Sequence, residues 1–74
     1  RKDSITSIKE WKDHLSLLKE QYSSEENLIR ESERIENIID FSSFFRSSES
    51  KDLFEKVKNT TNIDKLVSLL KKVS

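Results

Sequence analysis

Cysteine, glycine, proline and methionine are all missing from these 74 residues. Without cysteine there is no disulfide, and no thiolate to hold a structural metal, so the common staples of a small domain are absent. Without glycine there is no phosphate-cradling Gly-rich loop. With neither Gly nor Pro, the punctuation between elements falls to Ser, Asn, Thr and Asp. No apolar run is long enough to span a bilayer, and no signal-peptide pattern occurs. The 14 basic and 14 acidic residues cancel, which removes the electrostatic argument for nucleic acid. A chain that opens on Arg1 and holds no Met reads as a segment of something longer.

What is present is a small, strongly apolar set inside a charged chain. The length allows one domain at most, residues 1–74. None of the apolar residues is Ala. Nearly all are Leu, Ile, Val or Phe, joined by one Trp and one Tyr. Stability must therefore come from packing, and it is expected to be modest. Charge is unevenly spread: residues 25–40 are mainly acidic and residues 46–74 mainly basic. The plain reading is helix faces that attract one another on folding.

Periodicity is helical throughout, and no strand-period segment or internal repeat appears. Ile8, Trp11, Leu15, Leu18 and Tyr22 step by 3 and 4, one face of a helix over about 5–22. Ser7 with Glu10 spells a capping box, and Ser4 offers an earlier start. Ser23 with Glu26 spells another, ahead of Leu28, Ile35 and Ile39 on a second helix over about 25–39. Ser32 fills the gap in that stripe. Phe41, Phe44 and Phe45 fit no long stripe and predict a short irregular or 3-10 turn that drops rings into the core. Ser47 or Ser48 is expected to cap a third helix over about 49–58, burying Leu53, Phe54 and Val57. Asn59 can take the left-handed conformation past its end. Thr61 with Asp64 offers a cap for a fourth helix over about 62–73, with Ile63, Leu66, Val67, Leu70 and Val73 on one face. That face packs back on the bundle or is left for a neighbour.

Taken together, Trp11 with Leu15, Leu18-Lys19-Glu20, Ile35 through Phe41, and Leu53-Phe54-Glu55 resemble the FF domain over about residues 5–58. Trp11 stands where that family has its first aromatic, and Phe54 stands for the second. The resemblance implies an all-α fold: a small orthogonal three-helix bundle with a 3-10 turn between helices two and three, here with an additional C-terminal helix. It also implies a core of Trp11, Leu15, Leu18, Leu28, Ile35, Ile39, Phe41, Leu53, Phe54 and Val57. The chain departs from the family in several places. Trp replaces the first Phe, Leu28 stands where a Trp often opens helix two, and the turn motif is reduced to Asp40-Phe41. Residues 62–73 lie outside the family core.

Catalytic chemistry is hard to build from these residues. His14 is the only histidine, and Asp13 and Ser16 beside it point elsewhere on a helix, so no triad is expected. His14 is instead expected to pack on Trp11 at the edge of the stripe. Glu31, Glu33, Glu36 and Asp40 read as a solvated face rather than an acid–base pair. No metal-ligand spelling occurs, and no cofactor is implied. Lys9, Lys12, Ser16 and Lys19 share the side of helix one away from Trp11, with Arg1 and Lys2 as an extension. Their ammoniums are candidate contacts for an acidic or phosphorylated peptide. The plain alternative is ordinary solvation, with Lys9–Asp13 and Lys12–Ser16 as i,i+4 neighbours.

The expectation is thus a non-enzymatic scaffold domain that binds proteins. The resemblance implies a nuclear setting in pre-mRNA splicing. It implies as partners other splicing-factor subunits or the phosphorylated C-terminal tail of RNA polymerase II. A membrane role is not expected, and the isolated domain is expected to be monomeric. A spacer repeat without a ligand is the alternative. Direct RNA contact is disfavoured because Trp11 and Tyr22 lie on the buried stripe, leaving few stacking platforms.

Overall fold

The computed structural model describes residues 2–74, with side chains from Ser7 onward. Arg1 and the side chains of Lys2 and Ser4, named above as an extension of the basic stripe and as a cap, lie outside the described residues. Four α-helices follow one another: α1 (Lys2–Gln21), α2 (Glu26–Ile38), α3 (Ser48–Lys58) and α4 (Ile63–Lys71). A 3-10 turn, Ser43–Arg46, stands between α2 and α3. Every regular element among the described residues is helical.

Three of the expected caps are not where the residue spelling placed them. Helix α1 begins before Ser7, which lies inside it and is buried rather than capping. Between α1 and α2 the N–H of Glu25 donates to the carbonyl of Tyr22 at 2.9 Å, closing the turn. That closure makes Glu25, not Ser23, the boundary residue, and no side chain caps α2. Asn62, not Thr61, caps α4, its Oδ1 accepting the Lys65 N–H at 3.1 Å. Asn59 stays right-handed at φ −94°, ψ 6°. The end of α3 is closed by the Asn59 N–H, donating to the Glu55 carbonyl at 3.1 Å, and by the Thr60 hydroxyl, donating to the Lys56 carbonyl at 2.6 Å. No described residue takes a positive φ, which suits a chain without glycine.

The core is built from Trp11, Leu15 and Leu18 of α1, Leu28 and Ile35 of α2, Ile39 just beyond it, Phe45, and Leu53 and Val57 of α3. Leu66 and Leu70 of α4 and Val73 complete it, all at or below 1% exposure. Helix α4 therefore packs back, against α2 and α3. Full burial of Leu66 and of Leu70 contributes about 1.5–3 kcal/mol each. Arg34 of α2 fastens its end, donating from Nη2 to the Leu70 carbonyl at 3.0 Å. The same carbonyl accepts the Val73 N–H at 3.1 Å, so Arg34 adds a side-chain donor to the closing turn of the helix.

Phe41 corrects the expected core. It is 85% exposed. The N–H groups of Phe41 and Ser42 both donate to the Ile38 carbonyl, at 2.9 and 2.8 Å. This reverses the chain so tightly that Phe41 is left on the outside of the bend. Phe45 supplies the buried ring instead, at 1% exposure, edge-on to Trp11 with centroids 5.5 Å apart. Phe44 stands at 5.2 Å from Phe45 and covers its flank. Phe54 is half-buried rather than central, yet its ring lies 5.1 Å from that of Trp11.

Candidate binding surfaces

The three lysines singled out on α1 all have carboxylate partners. Lys9 meets Asp13 at 3.0 Å along the same helix. Lys12 reaches Asp40 just beyond α2 at 3.1 Å, and Lys19 reaches Glu36 at 2.7 Å. Ser16 is exposed between them. The last two bridges tie α1 to α2, so Glu36 and Asp40 are not part of a merely solvated face. Glu31 is also engaged, accepting from Arg34 Nε at 2.9 Å. Any ligand that took Lys12 and Lys19 would have to displace these carboxylates first. Exposed pairs of this kind are individually weak, on the order of 0.2–1 kcal/mol. The partly buried Lys19–Glu36 pair, with both side chains about 30% exposed, is the firmer of the two.

The second half of the chain is different. Lys56, Lys65, Lys71 and Lys72 have no carboxylate oxygen within 4 Å among the described residues. Lys56 lies on α3, Lys65 on α4 and Lys72 just past it. With Thr60, Ser68 and Leu69 they line a groove of about 250 Å³ between the two helices. Leu69 is half-buried there, an apolar spot with lysines around it. Lys56 and Lys72 also border the adjoining hollow beside Phe44 and Leu53, where Glu49 and Asp52 take part. The α4 end of the basic groove was not singled out in the sequence, although the basic excess of residues 46–74 is its signal.

A second cleft of about 260 Å³ opens between α1 and α3, lined by Ser7, Glu10, Trp11, Lys51, Phe54 and Glu55. Below it, the indole Nε1–H of Trp11 donates to Ser50 Oγ at 2.9 Å, both residues being fully buried. That bond fixes the indole against α3 and satisfies its only polar group.

His14 is half-buried and packs edge-on against Phe54, centroids 5.6 Å apart. Its Nε2 is shielded from water and has no hydrogen-bond partner. Burial, and then the nearby Lys58 ammonium, hold its pKa below the ordinary histidine value of 6.5. A neutral ring with no aligned Ser or carboxylate at Nε2 does not make a triad. Among the described residues no group of three or more His, Asp or Glu side chains is placed to hold a metal ion. Among the described residues no helix is long and apolar enough to cross a membrane.

Set against protein-family models, curated proteins and solved structures, the chain matches none.

Proposed function

We propose that the chain is a non-catalytic protein-interaction domain, a scaffold module of a nuclear pre-mRNA splicing factor, docking acidic or phosphorylated segments between α3 and α4. The observation that carries the docking site is the contrast between two sets of lysines. Those of α1 are spent on Asp13, Asp40 and Glu36. Lys56, Lys65 and Lys72 surround Leu69, and among the described residues no carboxylate oxygen comes within 4 Å of their ammoniums. Unpaired ammoniums around an apolar spot suit a segment that alternates negative groups with one apolar side chain. The reading therefore moves the ligand from Lys9, Lys12 and Lys19 to the other side of the molecule.

The splicing setting rests on the likeness to the FF domain. What supports it is the pairing of Trp11 with Phe54 at 5.1 Å and the 3-10 turn between helices two and three. An unusual repeat in a protein with tandem WW and FF domains is the form this reading takes. Its partners are other splicing-factor subunits or the phosphorylated RNA polymerase II tail, bound by a monomeric module.

The test is a titration of the ¹⁵N-labelled domain with an acidic peptide carrying one central aromatic residue, and with a phosphorylated polymerase-tail peptide. Shifts are expected at Lys56, Lys65, Leu69 and Lys72, and they should fade as salt rises. Lys65→Glu with Lys72→Glu should abolish them. An unchanged spectrum at millimolar peptide, or shifts confined to Lys9, Lys12 and Lys19, refutes the assignment. The second reading, a spacer without a ligand, draws on α4 burying its apolar face within the bundle. It predicts silent surface substitutions and an unchanged spectrum with every peptide.

A further inference from the structure

The cleft between α1 and α3 is lined by charges of both signs, unlike the α3–α4 groove, where every charged lining residue is a lysine. Trp11, 1% exposed, and half-buried Phe54 form its apolar part. Glu10, Glu55 and Lys51 are exposed around it, two carboxylates to one ammonium. Neither Glu10 nor Lys51 has an ion-pair partner within 4 Å among the described residues, and Glu55 meets Lys58 only at 3.8 Å. The ring of Phe54 already has one ammonium near it, Lys58 Nζ at 5.4 Å from the centroid.

We propose that this cleft receives an arginine side chain from a partner protein. The aliphatic stem lies on Phe54, and the guanidinium reaches the carboxylates of Glu10 and Glu55. Charge and chemistry together select this occupant. A purely apolar side chain would strip water from two carboxylates and return no hydrogen bond. An acidic one would be repelled. Lysine offers a compact, strongly hydrated point charge, whereas guanidinium is planar, weakly hydrated and suited to both carboxylate and ring. The proposal does not depend on the α3–α4 reading. It makes the domain two-sided, with a cation-accepting cleft and an anion-accepting groove on either side of α3.

The experiment uses a short Gly-Ser peptide with a central Leu-Arg-Leu, and versions with Lys or Gln in place of Arg. The reporter is the ¹⁵N–H resonance of the Trp11 indole, the only one in the chain, with the amides of Ser7, Lys51 and Phe54. The Arg peptide should shift these in the millimolar range, with the Lys peptide weaker and the Gln peptide about 5- to 10-fold weaker than Arg. Glu10→Gln with Glu55→Gln should lower the Arg affinity by a similar factor. Both are exposed positions, so the folded spectrum should persist. Lys65→Glu with Lys72→Glu, which tests the other groove, should leave Arg binding in place. Equal response to the Gln peptide, no shift up to about 10 mM, or an unchanged affinity in the Glu10/Glu55 variant overturns the proposal.

Discussion

Two serines are fully buried in this core, and one substitution is predicted to act on them in opposite directions. Ser50 Oγ accepts the indole N–H of Trp11 at 2.9 Å, and both residues are at or below 1% exposure. Ser50→Ala removes the acceptor and strands a buried donor, which costs about 1–3 kcal/mol. Ala returns roughly 0.5 kcal/mol of helix propensity at this position in α3. The net expectation is a loss of about 0.5–2.5 kcal/mol, or a Tm lower by about 4–8 °C for each kcal/mol lost. Ser32 is equally buried in α2, but its Oγ has no partner. Ser32→Ala deletes an unsatisfied hydroxyl and gains the same propensity, so it should stabilise by about 0.5–1.5 kcal/mol. The two variants should therefore differ by roughly 1–4 kcal/mol from one chemical change.

Urea denaturation is the assay, followed by the fluorescence of Trp11 and independently by far-UV circular dichroism. The second probe matters because Ser50→Ala alters the surroundings of the indole itself. Equal m-values would show that the midpoint change is a stability change. The reasoning fails if both variants move in the same direction, or if Ser50→Ala is neutral by both probes.

Three further predictions follow from burial and charge. Phe41→Ser should change stability by no more than about 0.5 kcal/mol, whereas Phe45→Ala should cost about 3–5 kcal/mol, both read from urea midpoints. Leu70→Ala, in α4, should cost about 2–5 kcal/mol, and a chain ending at residue 61 should lose its cooperative melt. His14 has a folded-state pKa below its unfolded value, so the unfolded chain binds the proton first. Its contribution is fully present above the unfolded value of 6.5 and is lost as pH falls through the folded value. Melts between neutral and mildly acidic pH should show that loss, and His14→Gln should flatten it.

The helices themselves were legible because Leu, Ile and Val recur at steps of 3 and 4 with polar residues between them. Trp11, Leu15, Leu28, Ile35, Leu66 and Leu70 are placed by that rule alone, and all are buried. The rule fails where periodicity ends. Phe41, Phe44 and Phe45 are equally apolar in a list, and only the double hydrogen bond to the Ile38 carbonyl decides which ring faces out. Caps were misread for a related reason. A capping-box spelling states which residues can cap, not where the preceding turn closes, and Glu25 took the boundary from Ser23 through its backbone alone. The basic stripe of α1 was legible as a stripe. Its pairing was not, since Asp40 lies 28 positions from Lys12 and Glu36 lies 17 from Lys19.

That pairing explains how a chain of zero net charge comes to have a basic surface. Folding brings the acidic α2 against α1, not against the basic residues of the second half. Glu36 and Asp40 go to Lys19 and Lys12, while Glu31 goes to Arg34 on its own helix. Helix α4 meets α2 through Leu66 and Leu70, a contact of apolar side chains, so its lysines are left on the outer side with Lys56. The imbalance in residues 46–74 survives folding because α2 offers α4 its hydrophobic face. A charge reversal of Glu36 should therefore loosen the joint between α1 and α2, while the α3–α4 groove keeps its sign. Glu36→Lys should shift the amides around Lys19 and leave those of Lys65 and Lys72 where they were. Equal shifts at both places would mean that the two charge systems are coupled, and the separation argued from the ion pairs would be wrong.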